Sequence, residues 1–405
     1  MAHQTAHRMA HRLIGNVVVG QSGGPTAAIN SSLCGVVQAA LAREAGRVYG
    51  MVAGMKGLLQ GDLIDLGAQP PETIQGLRAT PSSALRSSRY KLGPKDYDRL
   101  ADVLAKFDVR YFFYIGGNDS ADTTMQVARL AADRGREMVV IGIPKTVDND
   151  LALTDHCPGY GSAARYIAVA ALEAGLDSEA IASYPVKVIE IMGRHAGWLA
   201  AAAALARRDD RDAPHLVYVP EAPLVQEKVL ADVSAVCSKV GHAVVALAEG
   251  VRWSDGQPLA ASEGAVDAFG HRQMGGAGDV FAELVISKLG IRARCDRPGT
   301  LQRASMALAS RTDLAEAYAV GRAAVDAALG GLSGQMVTLV RKSDEPYACD
   351  TGLAPLEEIA NRERTLPAEY LNAAGNYPTA AFLRYARPLI GDPLPEYVRL
   401  AGGGL

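Results

Sequence analysis

Short runs of β-branched and aromatic residues alternate along the chain with longer Ala- and Leu-rich segments. The short runs predict strands at Asn16–Gln21, Arg47–Val52, Val109–Ile115, Met138–Ile143, Val186–Ile191, His215–Val219, Ala243–Ala248 and Gln335–Val340. The longer segments predict helices at Ala27–Ala45, Ser120–Arg134, Gly161–Leu176, Ala196–Arg207, Val225–Val240, Asp279–Lys288 and Thr312–Leu329. Strands that alternate with helices imply βαβ units and parallel sheets. Continuous apolar runs such as VVVG and MVVIGIP suit strands covered on both faces. The expected fold class is α/β: two three-layer domains with mainly parallel sheets and the active site in the cleft between them.

Composition narrows the function without naming it. The chain has 405 residues, enough for two ordinary domains. It is 49% hydrophobic and 21% charged, with a net charge of −3. That balance is normal for a soluble globular protein and lacks the basic surface of a nucleic-acid binder. Cys34, Cys157, Cys237, Cys295 and Cys349 are scattered and never at CxxC spacing, which argues for reduced thiols rather than a zinc site or a disulfide framework. No apolar run reaches the ~18 residues of a membrane helix, so a cytoplasmic protein is expected. The opening MAHQTAHRMAHR lacks the apolar core of a signal peptide. His3, His7 and His11 in it stand four apart: either a metal-binding face or part of a solvated, disordered extension over residues 1–12.

In parallel α/β sheets, ligands bind beyond the carboxyl ends of the strands, so the segments that follow the strands carry the chemistry. Ser22-Gly23-Gly24-Pro25-Thr26 follows the first strand and opens a helix. It is neither GxGxxG nor a Walker A loop. It reads either as a plain βα turn or as backbone that lets N–H groups approach an anion at a helix N-terminus. Gly116-Gly117-Asn118-Asp119-Ser120 repeats the arrangement, with Asp119 and Ser120 as candidate helix caps. Two such turns suggest one phosphate site built from two loops.

Pro144-Lys145-Thr146-Val147-Asp148-Asn149-Asp150 is the most specific segment. A cation, a hydroxyl and two carboxylates at a strand end have no packing reason to exist. They suit a general base at Asp148 and a phosphate-bound metal near Asp150, because phosphoryl transfer mainly needs alignment and positive charge around the moving group. Met192-Gly193-Arg194-His195-Ala196-Gly197-Trp198 puts Arg194 at a helix start, as a phosphoryl clamp or a surface ion pair. Glu249 follows another strand, as an acceptor for sugar hydroxyls or a solvated turn residue. Arg294, Arg297 and Arg303 surround Pro298-Gly299-Thr300-Leu301-Gln302, as a phosphate handle or a solvated basic turn.

In this order, GGPTAAIN, ALRSSRYKL, YIGGNDS, PKTVDND, IEIMGRHAG, ALAEG and RPGTLQR resemble the phosphofructokinase family from about Asn16 to at least Arg303. The resemblance implies a phosphotransferase acting on fructose 6-phosphate with Mg2+ as cofactor. It implies a donor-binding domain of 13–159 plus about 303–350, and a sugar-phosphate domain of 160–302 plus the C-terminal segment. Asp148 is implied as the base for the sugar 1-hydroxyl, with Thr146 and Val147 beside the substrate and Arg194 on the transferring phosphoryl group. Met192, Gly193, Glu249, Thr300, Leu301 and Gln302 are implied to line the sugar-phosphate site. Arg294 and Arg303 are implied to meet the 6-phosphate, one of them from a neighbouring subunit in a homodimer or homotetramer. Gly24, Gly117, Asp119, Ser120, Arg89 and Lys145 fall on the donor side, and Asn118 on the metal.

Two residues choose the donor. ATP-using members of the family carry glycine where this chain has Asp119 and Lys145, so the sequence is similar to the branch that uses pyrophosphate. A carboxylate at Asp119 repels the nucleotide α-phosphate, and such like-charge contacts cost several kcal/mol, on the order of 10³ in discrimination. Lys145 offers a compact cation to the smaller donor. The expected reaction is reversible transfer from pyrophosphate to the 1-hydroxyl of fructose 6-phosphate, in glycolysis or gluconeogenesis, with an ATP-dependent 6-phosphofructokinase as the alternative. Asn118 departs from the aspartate of ATP-using members, Thr300 from their histidine, and Arg86 stands where glycine is usual. A lipid or NAD kinase should lack PKTVDND and MGRHAG. A catalytically dead phosphosugar sensor should lack Asp148 or Arg194.

Overall fold

The computed structural model of the chain describes residues 13–181, 183–260 and 276–400. The N-terminal extension with its three histidines lies outside them. The chain forms two compact units. The described residues of the first are 13–163 and 303–365, and those of the second are 164–181, 183–260, 276–302 and 366–400. The first unit extends past 350 because Leu356, Ile359 and Ala360 bury against Ala121, Leu151, Cys157 and Met336.

The strands in chain order are β1 (Asn16–Gln21), β2 (Val48–Met51), β3 (Leu63–Asp65), β4 (Val109–Gly116), β5 (Val139–Pro144), β6 (Val186–Ile191), β7 (Leu216–Tyr218), β8 (Ala243–Ala248), β9 (Ala293–Asp296), β10 (Gln335–Asp344) and β11 (Tyr347–Pro355). The first unit holds a seven-stranded sheet ordered β11-β10-β5-β4-β1-β2-β3, antiparallel only where β3 and β11 pair with β2 and β10. The second holds four parallel strands ordered β7-β8-β6-β9.

The apolar runs are continuous because the first sheet is buried on both faces. Val17, Val19, Tyr111, Phe113 and Ile141 pack under helices Ile29–Ala42 and Arg311–Leu329. Val18, Phe112, Tyr114 and Val140 pack on the other side, under Gly54–Gln60, Tyr97–Lys106 and Asn118–Asp133. Strand order reverses between β1 and β4, the place where a doubly wound sheet opens a crevice at its carboxyl edge.

Several elements differ from the sequence expectation. β3, β9 and β11 lie outside the expected strands: the first is three residues at an edge, ARCD carries no β-branched residue, and β11 has Ala354 as its one buried residue. The helix Tyr97–Lys106 was also missed, since only Leu100, Val103 and Leu104 of it are buried. The helix expected at Ser120 begins at Asn118 with Gly117 before it, so Asp119 and Ser120 belong to its first turn instead of capping it. The helix expected at 196–207 starts at Trp198 and tightens into a 3₁₀ turn over Ala203–Ala206.

An ion cluster ties the chain after β5 to the helix Arg311–Leu329. Buried His156 has Nδ1 2.7 Å from Asp155 and Nε2 2.7 Å from Glu316. Arg341 donates to Asp155 at 3.1 Å and the Tyr347 hydroxyl to Glu316 at 2.5 Å. Burial alone would lower the His156 pKa, but the hydrogen bonds and charges of Asp155 and Glu316 outweigh it and raise the value above 6.5. Both imidazole nitrogens are therefore taken, and burial holds the nearby Cys349 as a thiol, its pKa pushed up to about 12. The four side chains Asp155, His156, Glu316 and Arg341 form an ion-pair network. A raised histidine pKa gives stability that is complete below the unfolded value and is lost as pH rises through the folded one. Thermal midpoints should accordingly fall as pH climbs from 6 through the neutral range. His156→Gln should flatten that slope and cost about 3 kcal/mol at pH 6, by leaving the Glu316 carboxylate without its cation while Asp155 keeps Arg341.

Candidate active site

In the first unit, the loops after β1, β4 and β5 meet. The Ser22 N–H donates to Ile115 O at 2.9 Å, and the Lys145 N–H to Gly116 O at 3.0 Å. Lys145 is 3% exposed, and its ammonium donates to Gly24 O at 3.0 Å. Burial, then the charge of Arg303, depress its pKa to about 8 against the opposing pull of Asp148 and Asp150. Arg303 reaches the same loop from the other side. A Cβ on Gly24 would lie 2.5 Å from its Nη1, so glycine is what lets the guanidinium this close.

The acidic turn after Lys145 is held from several directions. Thr146 forms a bridge with Gly159, and its hydroxyl accepts from the Asp148 N–H at 3.1 Å. Asn149 takes the left-handed conformation, with φ of 56°. Its side-chain oxygen accepts from the Cys157 N–H at 2.9 Å, and Arg364 donates to its carbonyl at 3.0 Å. Arg364 also bonds the carbonyls of Thr154 and Asp155 at 2.8 and 2.6 Å. The turn is thereby fixed so that Asp148 and Asp150 stand on either side of Asn149.

The segment 80–89 closes over the first loop. The Ala84 N–H donates to the Asn30 side chain at 2.9 Å, the Leu85 N–H to Gln21 at 2.9 Å, and the Ser87 hydroxyl to Gly23 O at 2.7 Å. Between them lies a cavity of about 410 Å³, lined by Gly23, Gly24, Pro25, Ser82, Ser83, Arg86, Ser87, Ser88, Arg89 and Arg303. Three guanidinium groups and four hydroxyls suit a small polyanion. Pro25 is the one apolar side chain in that lining, whereas a nucleobase pocket is mostly apolar.

In the second unit, β6 and β8 run side by side to Ile191 and Ala248, which sets Met192, Gly193 and Arg194 beside Glu249. The Glu249 N–H donates to Ile191 O at 2.8 Å, and the Met192 N–H to the Gln302 side chain at 2.9 Å. Arg194 Nε is buried with no hydrogen-bond partner among the described residues. The Glu221 carboxylate accepts from the N–H groups of Gly197 at 2.9 Å and Leu366 at 2.7 Å, anchoring the segment that carries Arg194. Thr300 and Leu301 lie exposed just before Gln302.

The two arginines expected at the 6-phosphate, Arg294 and Arg303, stand in different surroundings. Arg303 sits beside Gly24 and shares the short helix Leu301–Ala304 with Leu301 and Gln302. Arg294 pairs in register with Lys187, near the amino end of β6, while Met192 follows its carboxyl end. At ~3.3 Å per residue that separates them by roughly 16 Å. Arg294 there forms an ion pair with Asp177 and lies over the Tyr184 ring.

The oxygens available to a cation are in the first unit. Asn118 donates its amide to Arg362 O at 3.0 Å, and the Arg364 N–H donates to Asp150 O at 2.7 Å, so one short stretch of chain holds both residues. Asn118 Oδ1 and Asp150 Oδ1 are buried with no hydrogen-bond partner among the described residues. Burial, with Glu363 adding to it, raises the Asp150 pKa above the usual carboxylate range. Unsatisfied, desolvated oxygens of this kind fit a hard divalent cation such as Mg2+.

The acidic turn, the two glycine loops and Arg194 had clear signals in the sequence. Arg364, Glu221 and the serines of 82–88 did not, because each acts on residues distant in the chain. A family model described as Phosphofructokinase matches residues 16–328. A pyrophosphate--fructose 6-phosphate 1-phosphotransferase of Halomonas elongata is 45% identical over 392 residues, covering 94% of this chain and 93% of its own. One of Methylococcus capsulatus is 44% identical over 398 residues, covering 96% of this chain and 94% of its own. A crystal structure of a pyrophosphate-dependent phosphofructokinase from Marinobacter aquaeolei superposes with a TM-score of 0.85 at 38% identity, covering 97% of this chain and 98% of that one.

Proposed function

Because the chain belongs to the phosphofructokinase family, we propose that it is the pyrophosphate-dependent enzyme, moving a phosphoryl group from pyrophosphate to the 1-hydroxyl of fructose 6-phosphate. The products are fructose 1,6-bisphosphate and phosphate. The observation that carries the choice of donor is Lys145, whose buried ammonium lies 3.0 Å from Gly24 O beside a cavity walled by arginine and serine. That space recognises a short inorganic anion and offers nothing to a purine. Asp119, in the first turn after the second glycine loop, adds a carboxylate that opposes the longer polyanion of ATP.

In the reaction, Asp148 accepts the proton of the 1-hydroxyl, and the oxygen of that hydroxyl attacks the near phosphorus of pyrophosphate. Thr146 and Val147 orient the hydroxyl. Arg194 and Lys145 offset charge on the transferring group and on the departing phosphate. Gly24, Gly117, Ser120 and Arg89 hold the donor. Met192, Gly193, Glu249, Thr300, Leu301 and Gln302 hold the sugar phosphate. Mg2+ would be held by Asn118 and Asp150, and it supplies charge neutralisation to phosphate oxygens. Arg303 serves the donor side in this arrangement. Arg294 serves the 6-phosphate of a neighbouring subunit in a homo-oligomer, which accounts for its distance from Met192. No described helix is long and apolar enough to cross a membrane. Both sides of the reaction carry comparable phosphate groups, so transfer is close to reversible.

The test supplies purified protein with fructose 6-phosphate, Mg2+ and either pyrophosphate or ATP, and follows fructose 1,6-bisphosphate. Turnover with pyrophosphate and not with ATP is expected. Turnover with ATP alone would overturn the reading of Lys145 and Asp119, and silence with both would overturn the reaction.

A further inference from the structure

We propose that Arg86 is a donor-binding residue, a third guanidinium that reads the phosphate oxygens of the inorganic donor; this rests on the pyrophosphate reading above. Arg86 lines the same cavity as Gly23, Gly24, Arg89 and Arg303. It is exposed to that space, and its side chain makes no hydrogen bond or ion pair with any described residue. Its backbone is in the left-handed region, with φ of 62°, where glycine is favoured and arginine is strained. An arginine is therefore kept at a position whose local geometry disfavours it, with no partner of its own, on the wall of a cationic pocket.

The neighbours of Arg86 explain how so exposed a side chain is aimed. Leu85 is anchored through its N–H to Gln21 at 2.9 Å, and Ser87 through its hydroxyl to Gly23 O at 2.7 Å. The Arg86 N–H closes a turn onto Ser83 O at 2.9 Å. The residue is thus pinned on one side to the end of β1 and on the other to the Gly-Gly loop. Its guanidinium adds charge and a fork of donors to a site already holding two. A pyrophosphate, with two phosphoryl groups and no sugar or base, presents oxygens on every side and makes use of a cation from each wall. A nucleotide donor would turn one side of its phosphates toward the nucleoside instead.

Three variants separate charge from backbone. Arg86→Gln removes the charge and keeps the backbone strain. Arg86→Lys keeps the charge, and Arg86→Gly removes both charge and strain. The KM for pyrophosphate should rise about tenfold in the Gln and Gly variants, the scale of one hydrogen bond to a charged group, and less in the Lys variant. The KM for fructose 6-phosphate and kcat at saturating donor should move by less than about threefold. The thermal midpoint should not fall in Arg86→Gly. Calorimetric titration of pyrophosphate into each protein, without sugar phosphate, should show the same order of affinities. A wild-type protein that turns over with ATP and binds no pyrophosphate overturns the donor reading and this inference with it. A wild-type protein that uses pyrophosphate while Arg86→Gln binds it equally well overturns the Arg86 assignment alone. So does a KM increase confined to Arg86→Gly, which would trace the effect to the backbone.

Discussion

Asp148→Ala should lower kcat by at least ~10²-fold in both directions of the reaction, the usual contribution of a positioned general base. The KM values for fructose 6-phosphate and pyrophosphate should change far less, because the base acts on a proton that moves only as the bond forms. The hydrogen bonds that hold the turn come from the Asp148 N–H to Thr146, from the Cys157 N–H to the Asn149 side chain, and from Arg364 to the Asn149 carbonyl. None of the three uses the Asp148 carboxylate, so all three survive the alanine substitution. Asp148→Asn keeps the size and loses the basicity, and it should be impaired to a similar degree. Steady-state rates with pyrophosphate settle the matter. A variant with near-normal kcat would remove Asp148 from the mechanism, and one that loses its folded baseline would show instead that the carboxylate supports the turn.

The parts of this molecule that could be read from the chain are those set by local pattern. β1 and β8 fall where continuous apolar runs place them, because burial on both faces requires such runs, and β6 falls where its four β-branched residues do. The glycine loops and the acidic turn were visible for a related reason: residues with no packing role collect at strand ends only when chemistry keeps them there. What escaped depended on contacts remote in sequence. β11 buries one residue, Ala354, and is defined by its pairing with β10. Arg364 reaches Asn149 across more than two hundred residues. Arg86 offered no account until the fold placed it on the wall of the cavity with Arg303. Arg294 and Arg303 are close in sequence and looked like one cluster. The register of β9 on β6 sends the first to the far end of the strand, and the chain after β9 carries the second to Gly24.

Lys145→Met should raise the KM for pyrophosphate by roughly 10²-fold, since charge pairs closed off from water carry 2–5 kcal/mol, and yet it should stabilise the protein in the absence of donor. The two effects have one cause. The ammonium is buried, with Arg303 close enough to oppose its charge, and its pKa falls from 10.5 to about 8. A lysine whose folded pKa lies below its unfolded pKa destabilises the fold in full below about 8. That cost is relieved as pH rises from there toward 10.5. Methionine fills similar volume without the charge, so the thermal midpoint of the donor-free variant should rise at neutral pH. Pyrophosphate supplies the missing negative charge and should draw the pKa back up. Between pH 8 and 9 its binding should therefore take up protons, seen as a binding enthalpy that depends on the ionisation enthalpy of the buffer, and the KM for pyrophosphate should increase as pH passes 8. Both signals should vanish in Lys145→Met. A wild-type KM that stays flat from pH 7 to 9, with a variant that binds pyrophosphate within about threefold of wild type, would show that the cation serves the Gly24 carbonyl and not the donor.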